Sequence, residues 1–273
     1  MRCERACAYG GGTVINAIAT GFGAAFPISL RVTAEVCAAG VGDISVLTYA
    51  DVDVTPVRRI VERLAREWNL GGVYVRILGD LPTAGGLKSS SATVNAIAAA
   101  MARLAGVELG PLEIARLNAE LSKWAGISIT GAFDDAMASI TGHSYLTDNY
   151  RMEVIRELDV RGRAVVLIPP YGRGRRRADA LRALAPVMQI AVDYARLGMW
   201  REAMLVNAAA CGFALGYPPE PTLEALRAGA VGGVSGTGPA HVFVSDMPEE
   251  LAGALSKYGR VHVVDIPQSP CAV

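Results

Sequence analysis

The chain has 273 residues, of which 52% are hydrophobic and 19% are charged, and its 26 basic side chains are balanced by 26 acidic ones. A half-apolar chain without net charge forms a packed core, which excludes an intrinsically disordered protein. The charge balance also argues against a dedicated nucleic-acid-binding protein, because counterion release needs a surplus of Lys and Arg on one face.

The first 165 residues combine strand and helix patterns. Thr55 followed by Pro56 predicts a helix start, with Thr as the N-cap and Pro at the first helical position. Alternating polarity over residues 28–36 is typical of a half-buried strand. In chain order we expect a strand at 28–36, a helix at 55–68, a strand at 73–78, helices at 92–104, 111–124 and 134–140, and a strand at 163–168.

The character of the sequence changes near residue 170, where an arginine-rich segment begins. Beyond it we expect helices at 178–197, 199–215 and 222–228, a strand at 240–245, a helix at 248–258 and a strand at 261–266. Strands and helices in both parts predict an α+β protein. We divide it into an N-terminal half, residues 1–165, and a C-terminal half, residues 166–273.

The five cysteines, Cys3, Cys7, Cys37, Cys211 and Cys271, are scattered and form no CxxC pair. We interpret them as reduced thiols that pack as small hydrophobic side chains, and we expect no zinc site. The first twelve residues lack the apolar run of a signal peptide, and no segment reaches the roughly 18 apolar residues of a membrane span. These features predict a cytoplasmic protein.

Residues 79–92 read GDLPTAGGLKSSSA and connect a predicted strand to a predicted helix. Gly85 and Gly86 allow the backbone to approach a ligand closely, and three serines follow at the first turn of the helix. A helix N-terminus carries unpaired N–H groups and a partial positive charge, so it attracts an anion such as phosphate. A glycine-rich turn with serine capping is the alternative. The Walker pattern GxxxxGK[ST] does not fit, because Lys88 follows Leu87 and not a glycine.

The spacing of this segment resembles the Pro-x-x-x-Gly-Leu-x-Ser-Ser-x-Ala loop of the GHMP small-molecule kinases. The resemblance implies a GHMP kinase fold, with an N-terminal ribosomal-S5-like half, a C-terminal ferredoxin-like half and the active site between them. It implies ATP and Mg²⁺, with Ser90 helping to hold the metal ion. The residues implied to bind ATP are Pro82, Thr83, Ala84, Gly85, Gly86, Leu87, Lys88, Ser89, Ser90, Ser91 and Ala92.

A pair of acidic residues follows in the segment TGAFDDA, residues 130–136. GHMP kinases carry a catalytic aspartate in this region, which identifies Asp134 as the matching residue, and Glu120 is implied as a second metal ligand. Such a carboxylate can orient an attacking hydroxyl and accept its proton. With an ordinary pKa of about 3.9 it is ionised at neutral pH, so we expect it to act through position more than basicity. Two acids that merely cap a helix are the alternative.

The segment GGVSGTGPA, residues 232–240, resembles the glycine-rich loop near the C-terminus of the family, which closes on the loop that binds the nucleotide. In this chain the latter corresponds to residues 79–92, called the nucleotide loop below. The residues implied are Ser235, Gly236, Thr237 and Gly238. A hairpin turn rich in glycine is the alternative interpretation.

Further features of the sequence bear on the substrate. Lys88 stands where most GHMP kinases carry glycine, and GLKSSSA, TGAFDDA and SGTGPA together resemble the archaeal-type shikimate kinases. The family resemblance over residues 9–23 implies Thr13 and Asn16 as substrate contacts. Arg173, in the cluster RGRRR, is the candidate partner for a substrate carboxylate, because Arg binds carboxylates bidentately. A solvated loop is the alternative for that cluster.

Taken with the motifs, the resemblance implies an ATP-dependent kinase that converts shikimate to shikimate 3-phosphate in the biosynthesis of chorismate and aromatic amino acids. Another small alcohol such as homoserine or mevalonate is the alternative substrate. A nucleotide-binding member without catalysis is a further alternative, against which the presence of Asp134 together with Ser90 argues. We expect neither a nucleic acid nor a membrane as partner, and the sequence leaves the oligomeric state open.

Overall fold

The computed structural model describes residues 2–49, 52–82, 85–172 and 178–273. Its first sheet contains the strands β1 (Cys3–Ile15), β2 (Phe22–Ala38), β3 (Ile44–Leu47), β4 (Val73–Gly79), β5 (Ser144–Asp148) and β6 (Glu153–Leu158). The strands are ordered β3-β4-β2-β5-β6, and β1 also pairs with β2. All pairings are antiparallel except that of β3 with β4.

The long strand β2 organises this sheet. β1 pairs along one of its edges, while β4 and β5 share the other: β4 pairs with residues 32–38 and β5 with residues 22–25. The register with β5 places Gly23 opposite Thr147. The end of β5 is therefore held against the first residues of β2, beside the site described below.

The helices of this half are α1 (Thr55–Glu67), α2 (Ser89–Ala105), α3 (Pro111–Trp124) and α4 (Phe133–Thr141). α1, α2 and α4 pack on the first sheet, and α3 packs on α2 and α4. α2 is rich in alanine and is buried along most of its circumference, from Ser91 to Leu104. A helix that is apolar on all sides needs neighbours on all sides. α2 contacts β1 and β2 as well as α1, α3 and α4, so its first turn is rigidly placed.

The second sheet contains β7 (Arg163–Ile168), β8 (Val231–Val234), β9 (His241–Ser245) and β10 (Arg260–Asp265), in the antiparallel order β10-β7-β9-β8. The helices of this part are α5 (Ala178–Ala183), α6 (Ala185–Arg196), α7 (Trp200–Leu215), α8 (Glu220–Arg227) and α9 (Pro248–Leu255), and a 3₁₀ turn follows at Ser256–Tyr258. Because β7 begins at Arg163, the boundary that we placed after residue 165 falls inside a strand of the second sheet.

Several predicted bounds are confirmed and others are wrong. α3 and β7 span the residues expected, whereas the helix expected at 178–197 is broken at Leu184, just before Pro186. The predicted N-cap is also wrong, because Thr55 lies inside α1 and Val54 occupies the cap position. The carboxylate of Asp53 instead accepts a hydrogen bond from the Thr55 N–H, at 2.9 Å.

Four of the five cysteines form disulfide bonds, so the expectation of reduced thiols is wrong for them. Cys3 pairs with Cys37 and Cys7 pairs with Cys271, across sequence separations of 34 and 264 residues. The β1–β2 register sets Cys3 directly opposite Cys37. The spacing of the cysteines in the sequence does not indicate either bond, because both form only when β2 and the C-terminal residues pack against β1. Cys211 is free and buried.

No helix in the described ranges of the chain combines the length and the apolar character needed to cross a membrane.

Candidate active site

A cleft opens where the end of β1, the segment before α2, the start of α4 and the turn between β8 and β9 meet. Its wall includes Asn16, Lys88, Ser90, Asp134 and Thr237. The structure thus brings together residues from all three predicted loops and from the N-terminal strand. They are up to 221 residues apart in sequence, between Asn16 and Thr237.

The three consecutive glycines of β1 let this strand pass directly beneath the nucleotide loop. The Gly11 N–H donates a hydrogen bond to the Leu87 carbonyl at 3.0 Å. A Cβ at Gly11 would lie 2.7 Å from the Phe26 carbonyl oxygen, and one at Gly10 would lie 2.5 Å from the Leu81 side chain. A side chain at Gly10 would therefore push the segment before α2 away from the sheet, and one at Gly11 would push β1 away from β2.

The first turn of α2 faces the cleft. Ser89, Ser90 and Ser91 line the cleft, and the N-cap residue Lys88 adopts a left-handed conformation with φ of 63°. Lys88 supplies no side-chain acceptor for the N–H groups of the first turn. These groups, with the positive end of the helix dipole, suit a phosphate group.

The glycine loop between β8 and β9 is hydrogen-bonded to the nucleotide loop. The Ser235 hydroxyl donates to the Gly86 carbonyl at 2.9 Å, and the Ala240 N–H donates to the Gly85 carbonyl at 2.8 Å. A Cβ at Gly86, whose φ is 87°, would lie 2.2 Å from the Ser235 carbonyl oxygen. The two loops are in backbone contact, which only glycine at position 86 permits.

Thr13 and Asn16 bind this glycine loop from the side of β1. The Gly236 N–H donates to the Thr13 hydroxyl at 2.9 Å, and the Asn16 side-chain amide donates to the Gly236 carbonyl at 2.8 Å. Asn16 is in turn held by Asn207 on α7, whose side-chain oxygen accepts from the Asn16 N–H at 2.8 Å. Asn16 lines the cleft, whereas Thr13 is buried beneath the loop.

The two acidic residues lie in the first turn of α4. Asp134 is 3% exposed, and one of its oxygens accepts a hydrogen bond from the side-chain amide of Asn149 at 2.7 Å. Asp135 lies 2.7 Å from the ammonium group of Lys88. Both carboxylates line the cleft, so neither serves only to cap the helix.

Burial changes the acid strength of Asp134. Two effects raise the pKa of Asp134 from 3.8 to about 7. The larger is the loss of water around the carboxylate, and the smaller is the negative charge of the neighbouring Asp135. The positive charge of Lys88 and the hydrogen bond from Asn149 act in the opposite direction. Asp134 therefore gains and loses a proton near neutral pH, which differs from our expectation of a carboxylate with an ordinary pKa.

The sequence of the chain is similar to proteins of one family over nearly its whole length. The profile of the GHMP kinases N terminal domain matches residues 56–143. The shikimate kinase of Thermococcus kodakarensis is 38% identical over 96% of this chain and 99% of that protein, and that of Archaeoglobus fulgidus is 37% identical over 97% and 94%. The chain belongs to the shikimate kinase family. This family membership confirms the resemblance seen in the loop motifs.

Solved structures confirm the predicted GHMP kinase fold for this member of the shikimate kinase family. The mevalonate kinase of Methanococcus jannaschii superimposes with a TM-score of 0.77 at 14% identity, covering 97% of this chain and 98% of that one. A homoserine kinase from Cytophaga hutchinsonii superimposes with a TM-score of 0.73 at 19% identity, covering 97% and 96%. At such low identity these structures show a shared fold.

The oxygen-rich wall of the cleft suits a magnesium ion better than a softer metal. Ser90 is exposed to the cleft, whereas Glu120 lies on the exposed side of α3 and is not part of the cleft wall, to which α3 contributes Ser122. Among the described residues, no three His, Cys, Asp or Glu side chains form a metal-binding group. Mg²⁺ typically takes few protein oxygens and several from phosphates, so these residues fit an ion that arrives with a nucleotide.

Other predicted residues occupy supporting positions. Leu87 and Ala92 are fully buried and fix the nucleotide loop in the core, and Pro82 is half-buried outside the cleft. Thr83, Ala84 and Arg173 lie outside the described residues. The sequence interpretation missed the cleft residues Ser122, Ser128 and Thr130, the Lys88–Asp135 ion pair, and the residues behind Asn16 and Asp134, namely Asn207 and Asn149. Asn207, a polar residue within the apolar stretch MLVNAAA, is the one whose setting in the sequence could have drawn attention to it.

Proposed function

We propose that this member of the shikimate kinase family transfers the γ-phosphoryl group of ATP to a hydroxyl group of shikimate, giving shikimate 3-phosphate. The observation that carries the proposal is the buried carboxylate of Asp134, which lines the same cleft as the N-terminus of α2. A carboxylate and an anion-binding helix end on one cleft are what phosphoryl transfer to a hydroxyl requires. The names of the two archaeal relatives support shikimate as the substrate.

ATP binds with its phosphates against the nucleotide loop and the first turn of α2. The N–H groups of residues 89–91 and the serine hydroxyls there are the donors for phosphate oxygens. The loop is supported from below by Gly11 and from the side by Ser235. This support keeps the donors in place before the nucleotide arrives, which lowers the entropic cost of binding.

Asp134 acts as the general base. As the substrate oxygen bonds to the γ-phosphorus and the bond to the β-phosphate oxygen breaks, the hydroxyl proton passes to the Asp134 carboxylate and ADP leaves. A pKa of about 7 suits this role, because a base is most effective when its pKa lies near the working pH. Lys88 beside Asp135 adds positive charge near the negative charge that develops on the transferred group.

Mg²⁺ would be held by Ser90 together with phosphate oxygens, and it would neutralise part of the charge on the phosphates. The exposed position of Glu120 does not support it as a second ligand. The hydroxyl groups of shikimate have polar partners available in Asn16, Ser128 and Thr130, which line the cleft near Asp134. We keep Arg173 as the proposed partner of the substrate carboxylate.

We also propose that the protein acts in the cytoplasm on small molecules. Its balanced net charge supports a small anionic substrate over a nucleic acid. The two disulfide bonds do not exclude the cytoplasm, because disulfides also occur in the intracellular proteins of some organisms, hyperthermophiles in particular.

The test is ADP release by the purified protein with ATP, Mg²⁺ and, separately, shikimate, homoserine or mevalonate. We expect release with shikimate and only background with the other two alcohols. Product analysis should show a phosphate monoester of shikimate. Release with homoserine or mevalonate alone would overturn the proposed substrate, and a protein that hydrolyses or binds ATP without transfer to any alcohol would overturn the kinase assignment.

A further inference from the structure

Asn149 lies in the turn that follows β5, is 1% exposed, and makes four side-chain hydrogen bonds. Its Nδ2 group donates to Asp134 Oδ1 at 2.7 Å and to the Thr130 hydroxyl at 3.3 Å. Its Oδ1 atom accepts from the Asp134 N–H at 3.1 Å and from the Thr147 hydroxyl at 2.7 Å. An amide side chain has two donor hydrogens and two acceptor lone pairs, so all of them are used.

These bonds allow only one orientation of the Asn149 amide. If Nδ2 and Oδ1 were exchanged, the amide oxygen would face the Asp134 carboxylate and the NH₂ group would face the Asp134 N–H. Two acceptors would then face each other at the carboxylate and two donors at the N–H, and unsatisfied polar groups in a buried site are costly in free energy. The Thr147 hydroxyl adds a further restraint, because it anchors Asn149 to β5.

β2 limits the Asp134 carboxylate from the other side. A Cβ built on Gly23 would lie 2.5 Å from Asp134 Oδ2, so this oxygen rests against the bare backbone of β2. Gly23 pairs with Thr147 in the sheet, so the contacts of Asn149 and of Gly23 with Asp134 are both held by the β2–β5 strand pair. Asp134 is therefore held between a hydrogen bond on Oδ1 and a steric limit on Oδ2.

The charged groups that act on Asp134 are Asp135, beside it on α4, and Lys88, before α2. β2 presents Gly23 and the turn after β5 presents the Asn149 amide, and both are uncharged. Asn149 is thus a neutral donor that faces the carboxylate, and a donor of this kind stabilises the ionised form.

We propose that Asn149 is a positioning residue for phosphoryl transfer, which holds the Asp134 carboxylate in the orientation that accepts the proton of the substrate hydroxyl. The inference rests on the proposed function. It assigns to Asn149 an effect on the chemical step and none on nucleotide binding, because its four hydrogen bonds all go to Asp134, Thr130 and Thr147.

Asn149→Ala and Asn149→Asp test the proposal, with Asn95→Ala as the matched control. Asn95 is also a fully buried amide that donates a hydrogen bond to α4, but its acceptor there is the Ala136 carbonyl, not Asp134, and its own oxygen accepts from Asn118 on α3. We expect Asn149→Ala to lower kcat by roughly 10-fold to 100-fold with the KM for ATP within about threefold of wild type. Asn95→Ala should keep kcat within about threefold once the folded fraction is measured by circular dichroism.

The pH dependence of kcat/KM distinguishes a positioning role from a purely structural one, because a purely structural role would leave it unchanged. Loss of the hydrogen bond raises the pKa of Asp134, so the acid limb of the kcat/KM profile should move to higher pH in Asn149→Ala. In Asn149→Asp, which keeps the shape of the side chain, two carboxyl groups face each other, and the limb should move further. If Asn149→Ala does not fold, the shift in Asn149→Asp alone decides the question.

The outcomes separate this proposal from the proposed function. If wild type does not phosphorylate shikimate, the proposed function fails and the inference fails with it. If wild type is active and the Asn149 variants match Asn95→Ala in kcat and in the position of the acid limb, the positioning role is wrong and the function stands. A loss confined to the KM for ATP would also overturn it.

Discussion

The ammonium group of Lys88 lies 2.7 Å from Asp135 Oδ1, and both side chains are largely buried, with 7% and 14% of their surface exposed. The pair spans the cleft between the nucleotide loop and the first turn of α4. It places a cation next to two adjacent carboxylates, Asp134 and Asp135, that would otherwise repel each other. The cation lets at least one of them ionise in a poorly hydrated site.

Removal of this cation should change the pH dependence of catalysis. Lys88 lowers the pKa of Asp134, which is about 7 in its presence, so Lys88→Ala should move the acid limb of the kcat/KM profile to higher pH. The KM for ATP should rise if the ammonium also contacts a phosphate. Lys257→Ala is the control, because Lys257 is exposed and forms an ion pair with Glu224 in the C-terminal half. An acid limb that stays in place in Lys88→Ala would contradict the electrostatic role.

Loss of the Asp134 carboxylate should abolish most of the activity. Asn keeps the size of the side chain but cannot accept the hydroxyl proton, and loss of a general base typically costs about 100-fold or more in rate. We therefore expect Asp134→Asn to lower kcat by at least about 100-fold in the ADP-release assay. Asp193→Asn, on α6 and away from the cleft, should retain wild-type turnover. A reduction of only a few-fold in Asp134→Asn would refute the base assignment.

The same substitution should stabilise the protein at high pH. The folded-state pKa of Asp134 is about 7 and its unfolded value is about 3.8, so the folded state binds more protons between these values. Stability from this group is full below about pH 4 and is lost as the pH rises towards 7. Asp134→Asn should have a higher melting temperature than wild type at pH 8, and the difference should shrink at pH 4. Calorimetry at both values is the check, and an equal difference at both would disprove the linkage.

A methyl group on β2 should disturb the Asp134 carboxylate, the proposed general base. Gly23 has no left-handed backbone conformation, so Gly23→Ala introduces no backbone strain, but its Cβ would lie 2.5 Å from Asp134 Oδ2. We expect kcat to fall by roughly tenfold or more, because small displacements of a catalytic group are costly. Gly212→Ala is the control, since nothing lies within 4 Å of a Cβ there. It should preserve kcat, and equal kcat values in the two variants would contradict the steric argument.

The disulfide between Cys7 and Cys271 should contribute more stability than the one between Cys3 and Cys37. It closes a loop of 264 residues, against 34 for the other, and in the chain-entropy view the difference is worth about 2 kcal/mol. Cys271→Ser should therefore lower the free energy of unfolding more than Cys37→Ser does. Denaturant unfolding of both variants tests this, and reductant should remove the difference between them. The reverse order would show that native-state contacts outweigh loop closure.

Local sequence patterns predicted those helices and strands whose ends and faces are set by neighbouring residues in the chain. α3 was predicted to the residue because Pro111 marks its start and its apolar positions repeat with helical spacing. β1 was missed because three consecutive glycines have low strand propensity. Their role appears only when the nucleotide loop lies on top of them, at the Gly11–Leu87 hydrogen bond.

The sequence alone led to the chemistry proposed for the site: a glycine- and serine-rich helix start for phosphate and an aspartate for the hydroxyl proton. The tertiary structure decided which residues surround these groups. Asn149, Gly23 and Lys88 reach the Asp134–Asp135 pair from three separate segments, and Cys271 reaches Cys7 across nearly the whole chain. Such contacts depend on the register of the strands and on which distant segments pack together, and neither can be read from a local stretch of sequence. The raised pKa of Asp134 has the same origin, because burial is created only when those segments close around it.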